Sequence, residues 1–160
     1  MQKKYLISKF LIIIFSFIFF FRNNFILLDI NSDFLFELSI PKIKLSRIIY
    51  KYDSIHNDLS TNIKLLTDVK KINEETIVIA GHSGSGNNAF FNNLYLLELG
   101  DVIDINYNNI RYTYEINDIY EIEKTGYMNI NTEITGLLYL ITCKNHVNNK
   151  QIVYKAFIKN

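Results

Sequence analysis

An unbroken apolar run stands out first, close to the N-terminus. Residues 5–21 read YLISKFLIIIFSFIFFF, and residues 25–28 add FILL. The uninterrupted part, Phe10–Phe21, reaches the lower length limit of a membrane span when Tyr5–Ile7 are included. Lys9 can extend back to the membrane interface. The pattern therefore predicts a transmembrane helix.

The residues around this run predict how it is used. Lys3 and Lys4 precede it and Arg22 follows it alone, a bias that favours an N-terminus inside the cell. A cleaved signal peptide needs a small-residue cleavage site, and none is visible in the following residues, RNNF. We therefore predict an uncleaved anchor over residues 1–28, a linker over 29–37, and a domain over 38–160 that lies outside the membrane.

Beyond the anchor, apolar positions mostly follow the two-residue period of strands. Residues 53–66 suit a short helix or turn, 89–99 suit one helix that ends at Gly100, and Asn108–Asn109 suits a turn that tolerates left-handed backbone. Seven or eight short strands with few helices predict a β-barrel or a β-sandwich. Strands are predicted over 40–50, 76–80, 101–105, 111–116, 119–122, 137–142 and 151–158.

Composition excludes several classes of protein. The 160 residues suit one domain, and 49% apolar residues can build a core. A single Cys excludes an intramolecular disulfide scaffold and a Cys-rich zinc site. The net charge of +1 offers no basic field for nucleic acid. Scattered Asp residues show no calcium-ligand spacing, so no metal is predicted.

Two glycine-rich motifs follow the predicted strand 76–80. Gly84–Ala89 is similar to a dinucleotide-binding loop, but it begins several residues after the strand, and no series of βαβ units follows. Gly81–Ser85 nearly forms the Gly-x-Ser-x-Gly elbow of hydrolases, but position 85 is Ser, and the chain is too short for that fold. We therefore favour neither function.

A Cys and a His carry the stronger chemical signal. Cys143 closes the apolar run 137–142 and precedes a polar loop, and His82 stands just past a strand, next to glycine. A lone Cys is by default a small buried apolar residue, but a thiol and an imidazole at two strand ends are a candidate nucleophile and base. His56 and His146 lie in polar segments and are interpreted as solvated.

Three separated segments resemble the sortase family. The family's histidine segment resembles Ala80–Ser83 with Phe90–Leu94 and Leu99–Ile103. Its Thr-Leu-x-Thr-Cys signature resembles Tyr139–Cys143, with Tyr in the first place, and its opening strand resembles Ile40–Ile43. The resemblance extends from about Leu38 to the C-terminus.

The resemblance implies a closed, mainly β barrel of about eight strands with one or two short helices, after an N-terminal transmembrane helix. Sortases cleave a sorting motif of surface proteins, typically Leu-Pro-x-Thr-Gly, between Thr and Gly. They pass the acyl group to an amine of peptidoglycan or of a pilin, and no cofactor is implied. In the implied mechanism, Cys143 is the nucleophile and His82 is the general acid and base. The implied location is the bacterial membrane, with the domain on the extracellular side.

The third catalytic residue of sortases, an Arg after the Cys, has no counterpart here, because no Arg follows Cys143. Aligning Ile152–Tyr154 with the family's apolar run puts either Lys150 or Gln151 at that position, on opposite faces of the strand. We favour Lys150, because a cation is needed beside the thiolate and the oxyanion, although Lys lacks the two-pronged donor of Arg. Gln151 can donate a hydrogen bond without charge. Lys155 is interpreted as a surface residue.

The missing Arg also supports a competing function. Loss of one oxyanion donor typically lowers the rate about a hundredfold or more. The alternative is therefore a catalytically impaired, sortase-like module for binding or assembly at the cell surface. A protease of the papain type fits poorly, because there the Cys precedes the His, whereas here His82 precedes Cys143.

Overall fold

The computed structural model describes residues 33–130, 134–145, 147 and 149–159. The anchor predicted over residues 1–28 and the side chain of His146 lie outside this part. Within it, no helix is both long and apolar enough to cross a bilayer. The chain divides after Phe34 into two units, and the second, Leu35–Asn160, carries the sheet except for its first residue.

One eight-stranded sheet forms the domain, as the number of short apolar segments predicts. Its strand order is β2-β1-β5-β6-β8-β7-β4-β3. The two edge strands approach each other, and Asn62 Nδ2 donates to Ile48 O at 3.0 Å, so the sheet curls into a nearly closed barrel. The strands are β1 (Phe34–Ile40), β2 (Leu45–Tyr50), β3 (Lys64–Leu65), β4 (Ile77–Ala80), β5 (Val102–Tyr107), β6 (Ile110–Glu123), β7 (Leu137–Cys143) and β8 (Lys150–Ile158).

Strand β7 is buried on both of its faces. Leu138 and Leu140 face the main core of the barrel. Leu137, Tyr139 and Ile141 face the opposite side, where side chains of the β6–β7 connection cover them. Burial on both faces explains why the sequence of this strand is a continuous apolar run. In a strand that is buried on one face only, apolar and polar residues alternate. The run ends at Cys143, which is partly exposed.

Proline explains the largest difference from the predicted strands. The single strand predicted over 40–50 is divided, because Pro41 has a fixed φ and no N–H for a ladder. A 3-10 helix, η1 (Pro41–Ile43), follows β1, and Lys44 with φ 53° reverses the chain into β2. The predicted linker 29–37 ends inside β1, since this strand begins at Phe34.

Other predicted elements differ in extent. The helix predicted over 89–99 is reduced to a second 3-10 helix, η2 (Asn92–Leu96). The strands predicted over 111–116 and 119–122 are one strand, β6, with an irregularity between Ile116 and Asp118 that is typical of a bulge. Asn108 and Asn109 have φ of 50° and 63°, which confirms the predicted left-handed turn.

Candidate active site

Strands β4 and β7 run parallel and bring two distant motifs together. Their last paired residues are Ala80 and Ile141. Beyond this pair, Gly81 N donates to Ile141 O at 3.1 Å, and Thr142 Oγ1 donates to Gly81 O at 2.8 Å. The next residue on each side is His82 or Cys143. The parallel register therefore brings the backbones of His82 and Cys143 side by side at one end of the barrel.

Hydrogen bonds join the segments that follow these two residues. Ser83 Oγ donates to Cys143 O at 2.6 Å. Asn92 Oδ1, from η2, accepts from Gly84 N at 3.1 Å and from Asn145 Nδ2 at 3.4 Å. The side chains of Ser83 and Asn92 thus fix the loop after β4 against the loop after β7. Sequence reasoning missed both, because neither stands in a pattern that indicates its distant partner.

Gly81 lets the chain pass close to an aromatic ring. A Cβ at this position would lie 2.7 Å from two carbons of the Phe91 ring. Phe91 N in turn donates to His82 O at 2.9 Å. The residue before His82 is therefore glycine for a packing reason, and Phe91 supports the His82 backbone.

Both candidate catalytic side chains are accessible. Cys143 is a free thiol of intermediate exposure, and His82 is also half-buried. Nucleophilic attack on a peptide needs a thiol that a substrate can reach. The sulfur is therefore not enclosed in the core, although the strand that carries it is.

The register of β7 and β8 separates the two candidates for the Arg position. Gln151 is the direct partner of Cys143. Partners in an antiparallel pair share a face, and neighbours along a strand point to opposite faces. Gln151 therefore lies on the face of the Cys143 side chain, and Lys150, which we predicted as the third catalytic residue, points to the other face. The sequence could not show this, because a shift of one residue exchanges the two faces.

The ammonium groups of the two lysines of β8 lie near Glu121 and Phe157. Lys150 Nζ lies 3.5 Å from Glu121 Oε2. Lys155 pairs with Tyr139, four positions along the strand from Gln151, or about 13 Å at the usual rise. Its Nζ lies 5.1 Å from the centroid of the Phe157 ring. Neither lysine is thus directly opposite Cys143 in the ladder.

Glu121 links both ends of the β7–β8 loop to β6. It accepts from Lys144 Nζ at the start of the loop and from Lys150 Nζ at its end. The hydrogen bond from Lys144 lowers the pKa of the Glu121 carboxyl, and Lys150 lowers it further. This carboxylate therefore holds the loop that begins just after Cys143.

Two depressions lie near the end of β7. The outer groove, of about 280 Å³, lies on the face of β7 that carries Ile141. The loop cavity, of about 850 Å³, lies between η2 and the β7–β8 loop, with Cys143 in its lining. The outer groove is lined mainly by apolar side chains, among them Leu66, Val78, Ala80, Met128, Ile130 and Ile141, together with Gln151.

Metal chemistry has no support in the described ranges, since they contain no group of His, Cys, Asp and Glu side chains suited to hold an ion.

Comparisons with known proteins agree on one family. The family model described as Sortase domain matches residues 38–158. No curated protein gives a match. A sortase D5 transpeptidase of Clostridium perfringens is similar in structure, with 26% identity, a TM-score of 0.67 and coverage of 80% of each chain.

Two further solved structures are similar. Sortase C-1 of Actinomyces oris has 25% identity and a TM-score of 0.68, with 81% of this chain and 75% of that chain covered. Sortase C1 of Streptococcus agalactiae has 21% identity and a TM-score of 0.68, with coverage of 81% and 69%. The fold is therefore shared across all three.

Proposed function

The chain belongs to the sortase family, and we propose that it is a cysteine transpeptidase that cleaves a Leu-Pro-x-Thr-Gly-like motif of surface proteins. It then joins the acyl part to an amine of the cell wall or of a pilin. The observation that supports the proposal is the β4–β7 register, which brings the backbones of His82 and Cys143 side by side near the outer groove. The similar structure described as a transpeptidase supports the reaction type.

The proposed reaction begins with attack by the Cys143 sulfur. The thiolate attacks the carbonyl carbon of the substrate Thr, and a C–S bond forms as the C–N bond to Gly breaks. His82 gives a proton to the leaving amine. The product is a thioester, which an amine attacks more readily than water does.

Gln151 is proposed to replace Arg as the side-chain donor to the oxyanion. It lies opposite Cys143, and its amide group can donate a hydrogen bond. Because the amide is neutral, it stabilises the developing negative charge less than a guanidinium group does. We therefore expect a slow enzyme.

The outer groove is proposed to bind the sorting peptide. Ala80 and Ile141 line it two residues before His82 and Cys143, so a peptide lying there reaches the two catalytic positions. The mainly apolar lining suits Leu and Pro better than charged side chains.

The anchor over residues 1–28 is proposed to hold the enzyme in the bacterial membrane, with its domain on the outer side. Fractionation of cells that express the full chain tests this: the protein is expected in the membrane fraction, and external protease is expected to remove the domain. Recovery in the soluble fraction contradicts the proposal.

Trapping of the acyl-enzyme tests the enzymatic function. The protein is incubated with a panel of sorting peptides, and its intact mass is expected to increase by the acyl fragment. Cys143→Ala is expected to lose the adduct and the cleavage while keeping its circular dichroism spectrum, and alkylated wild-type protein is a second control. Cleavage by the Ala variant contradicts the assignment of the nucleophile.

The same experiment decides on the second candidate, the impaired binding module, which the neutral Gln151 favours. Peptide binding without any adduct or cleavage supports the module. Adduct formation on Cys143 contradicts it.

A further inference from the structure

We propose that Arg47 on β2 is a positioning residue for His82, and that it acts through the segment Phe90–Phe91. The inference rests on the proposed function, in which His82 gives a proton to the leaving amine. It adds to that step a residue from a strand at one edge of the sheet.

The guanidinium group of Arg47 lies over the face of an aromatic ring. Its Cζ is 3.9 Å from the centroid of the Phe90 ring. Phe90 is partly buried and packs against the main core of the barrel, whereas Arg47 is exposed. A cation at this distance from an aromatic face is attracted by the π electrons, and the planar guanidinium group also stacks on the ring. Arg47 therefore covers Phe90 from the solvent side and restrains it.

The residue after Phe90 binds the backbone of His82 directly. Phe91 N donates to His82 O at 2.9 Å. The Phe91 ring is fully buried against Gly81, where an added Cβ would lie 2.7 Å from it. On its other side the same backbone is joined to β7 through the N–H of Gly81. The chain that carries the imidazole is thus held from two directions, and Arg47 supports the one that does not involve β7.

The nucleophile is held by a different set of contacts. Ser83 Oγ donates to Cys143 O at 2.6 Å. Lys144, the next residue along the chain, binds Glu121 on β6. Arg47 stands on β2, which is not a neighbour of β7 in the sheet. Loss of the contact between Arg47 and the ring is therefore expected to displace the imidazole more than the sulfur.

This difference affects one step of the proposed reaction. When Cys143 attacks a peptide, a C–S bond forms and the C–N bond breaks as the leaving nitrogen takes a proton from His82. When it attacks a thioester analogue of the sorting peptide, a new C–S bond forms and the old C–S bond breaks. The leaving thiolate needs no proton, because ordinary thiols ionise near pH 8.5. Both substrates require the same attack by sulfur, so the ratio of their acylation rates measures the proton transfer.

The test is this ratio in full-length protein. One sorting peptide is made with an amide and with a thioester at the bond that is cleaved, and release of the leaving fragment is followed through the first turnover. Arg47→Met keeps a long apolar side chain without the cation, and it is expected to lower the amide rate about threefold to fivefold. The thioester rate is expected to stay within about twofold. Arg47→Lys keeps a cation near the ring and is expected to recover most of the amide rate.

A double-mutant cycle shows whether Arg47 acts through the ring. Phe90→Leu keeps an apolar side chain without the aromatic face, and it is expected to lower the amide rate as Arg47→Met does. If both residues act through their contact, the double variant is expected to lose no more than the larger of the two single losses. Thermal unfolding of each variant is measured in parallel, so that rates are compared between folded proteins.

Two controls come from the histidine loop itself. Asn88→Ala removes a hydrogen bond that joins this loop to the carbonyl oxygen of Ser60. It leaves the contact between Arg47 and the ring intact and is expected to keep the wild-type ratio. Ser83→Ala removes a contact of the nucleophile and is expected to lower both rates, which also keeps the ratio.

Two failures are distinguishable. If wild-type protein does not cleave the peptide, the proposed function fails and the role of Arg47 fails with it. If the peptide is cleaved but Arg47→Met keeps the wild-type ratio, or the losses from Arg47→Met and Phe90→Leu are additive, the inference alone is overturned. A selective loss of the amide rate that Arg47→Lys restores supports it.

Discussion

Cys143 and Gln151 are direct partners in the antiparallel ladder of β7 and β8. Their side chains share one face of the sheet, beside the outer groove that Gln151 lines. A neutral amide thus lies directly opposite Cys143, and we propose that it takes the role of the Arg of sortases. The nearest lysine along β8, Lys150, points away and pairs with Glu121.

The first prediction restores the missing charge. Gln151→Arg is expected to raise kcat/KM for cleavage of a sorting peptide about tenfold or more, because a charged, two-pronged donor stabilises the oxyanion better than an amide. Gln151→Ala is expected to lower it. Steady-state kinetics with one fluorogenic peptide measures both.

Lys150→Arg is the matched control for this experiment. It changes the cation on the opposite face and is expected to leave kcat/KM within about twofold, as a change in an exposed ion pair has a small effect. A gain with Lys150→Arg, or a large loss confined to Lys150→Ala, would return the Arg role to Lys150.

Local signals in the sequence predicted much of the sheet. Buried strands such as β4 and β7 are visible as short apolar runs, and Asn108–Asn109 is visible as a turn, because these signals are local. The division of the predicted strand 40–50 at Pro41 was also a local signal, which the apolar alternation on both sides concealed.

The pairing register between strands could not be predicted from the sequence. The choice between Lys150 and Gln151 depends on which residue of β8 lies opposite Cys143, and both choices keep a plausible apolar pattern. The contacts of Ser83 and Glu121 likewise depend on partners far along the chain. The sequence motifs indicated His82 and Cys143, but not the side chains that hold their loops.

The second prediction concerns Ser83 as a positioning residue. Its hydroxyl donates to the carbonyl oxygen of Cys143 at 2.6 Å, so it fixes the backbone that carries the nucleophile. Ser83→Ala is expected to lower kcat for peptide cleavage about tenfold with little change in KM, because a small displacement of the sulfur weakens attack more than binding. Ser83→Thr retains the hydroxyl and is expected to recover most of kcat.

For each variant, kcat and KM are measured together with the free energy of unfolding in urea. This comparison separates positioning of the nucleophile from a general loss of stability. Loss of one such hydrogen bond lowers the free energy of unfolding by about 1 kcal/mol. If KM rises while kcat stays constant, or if Thr does not restore kcat, Ser83 does not position the nucleophile.

The third prediction concerns the close packing of Gly81 against the Phe91 ring. Gly81→Ala places a methyl group 2.7 Å from the Phe91 ring, in the buried segment just before His82. Overpacking of this kind lowers the free energy of unfolding by about 1–3 kcal/mol and displaces the neighbouring backbone. Thermal unfolding and peptide cleavage are both expected to decline.

Gly86→Ala provides the control from the same loop. Its added methyl group meets the Asn88 side chain, which is flexible and can move away. Stability and cleavage are expected to remain near the wild-type values. Equal effects of the two substitutions would show that the close approach of Gly81 to Phe91 has no particular role.

The fourth prediction concerns the pH dependence that arises from Glu121. The hydrogen bond from Lys144, assisted by Lys150, lowers the pKa of its carboxyl below the ordinary value of 4.5. A lowered pKa in the folded state means that the ionised carboxylate stabilises the fold above about pH 4.5. This contribution is lost as the pH falls through the lowered pKa.

Glu121→Gln tests this sign. The variant is expected to melt at a lower temperature than wild-type protein at pH 7, and the difference is expected to vanish in acid, where the wild-type carboxyl is also neutral. Glu123→Gln removes a charge from the same strand outside the two ion pairs, and it is expected to show a smaller pH-dependent difference. Because the ion pairs are exposed, 1 M salt is expected to reduce the effect of Glu121→Gln at pH 7. A difference that is constant from pH 7 to pH 3 would mean that the side chain acts through packing, and the electrostatic attachment of the β7–β8 loop to β6 would then be wrong.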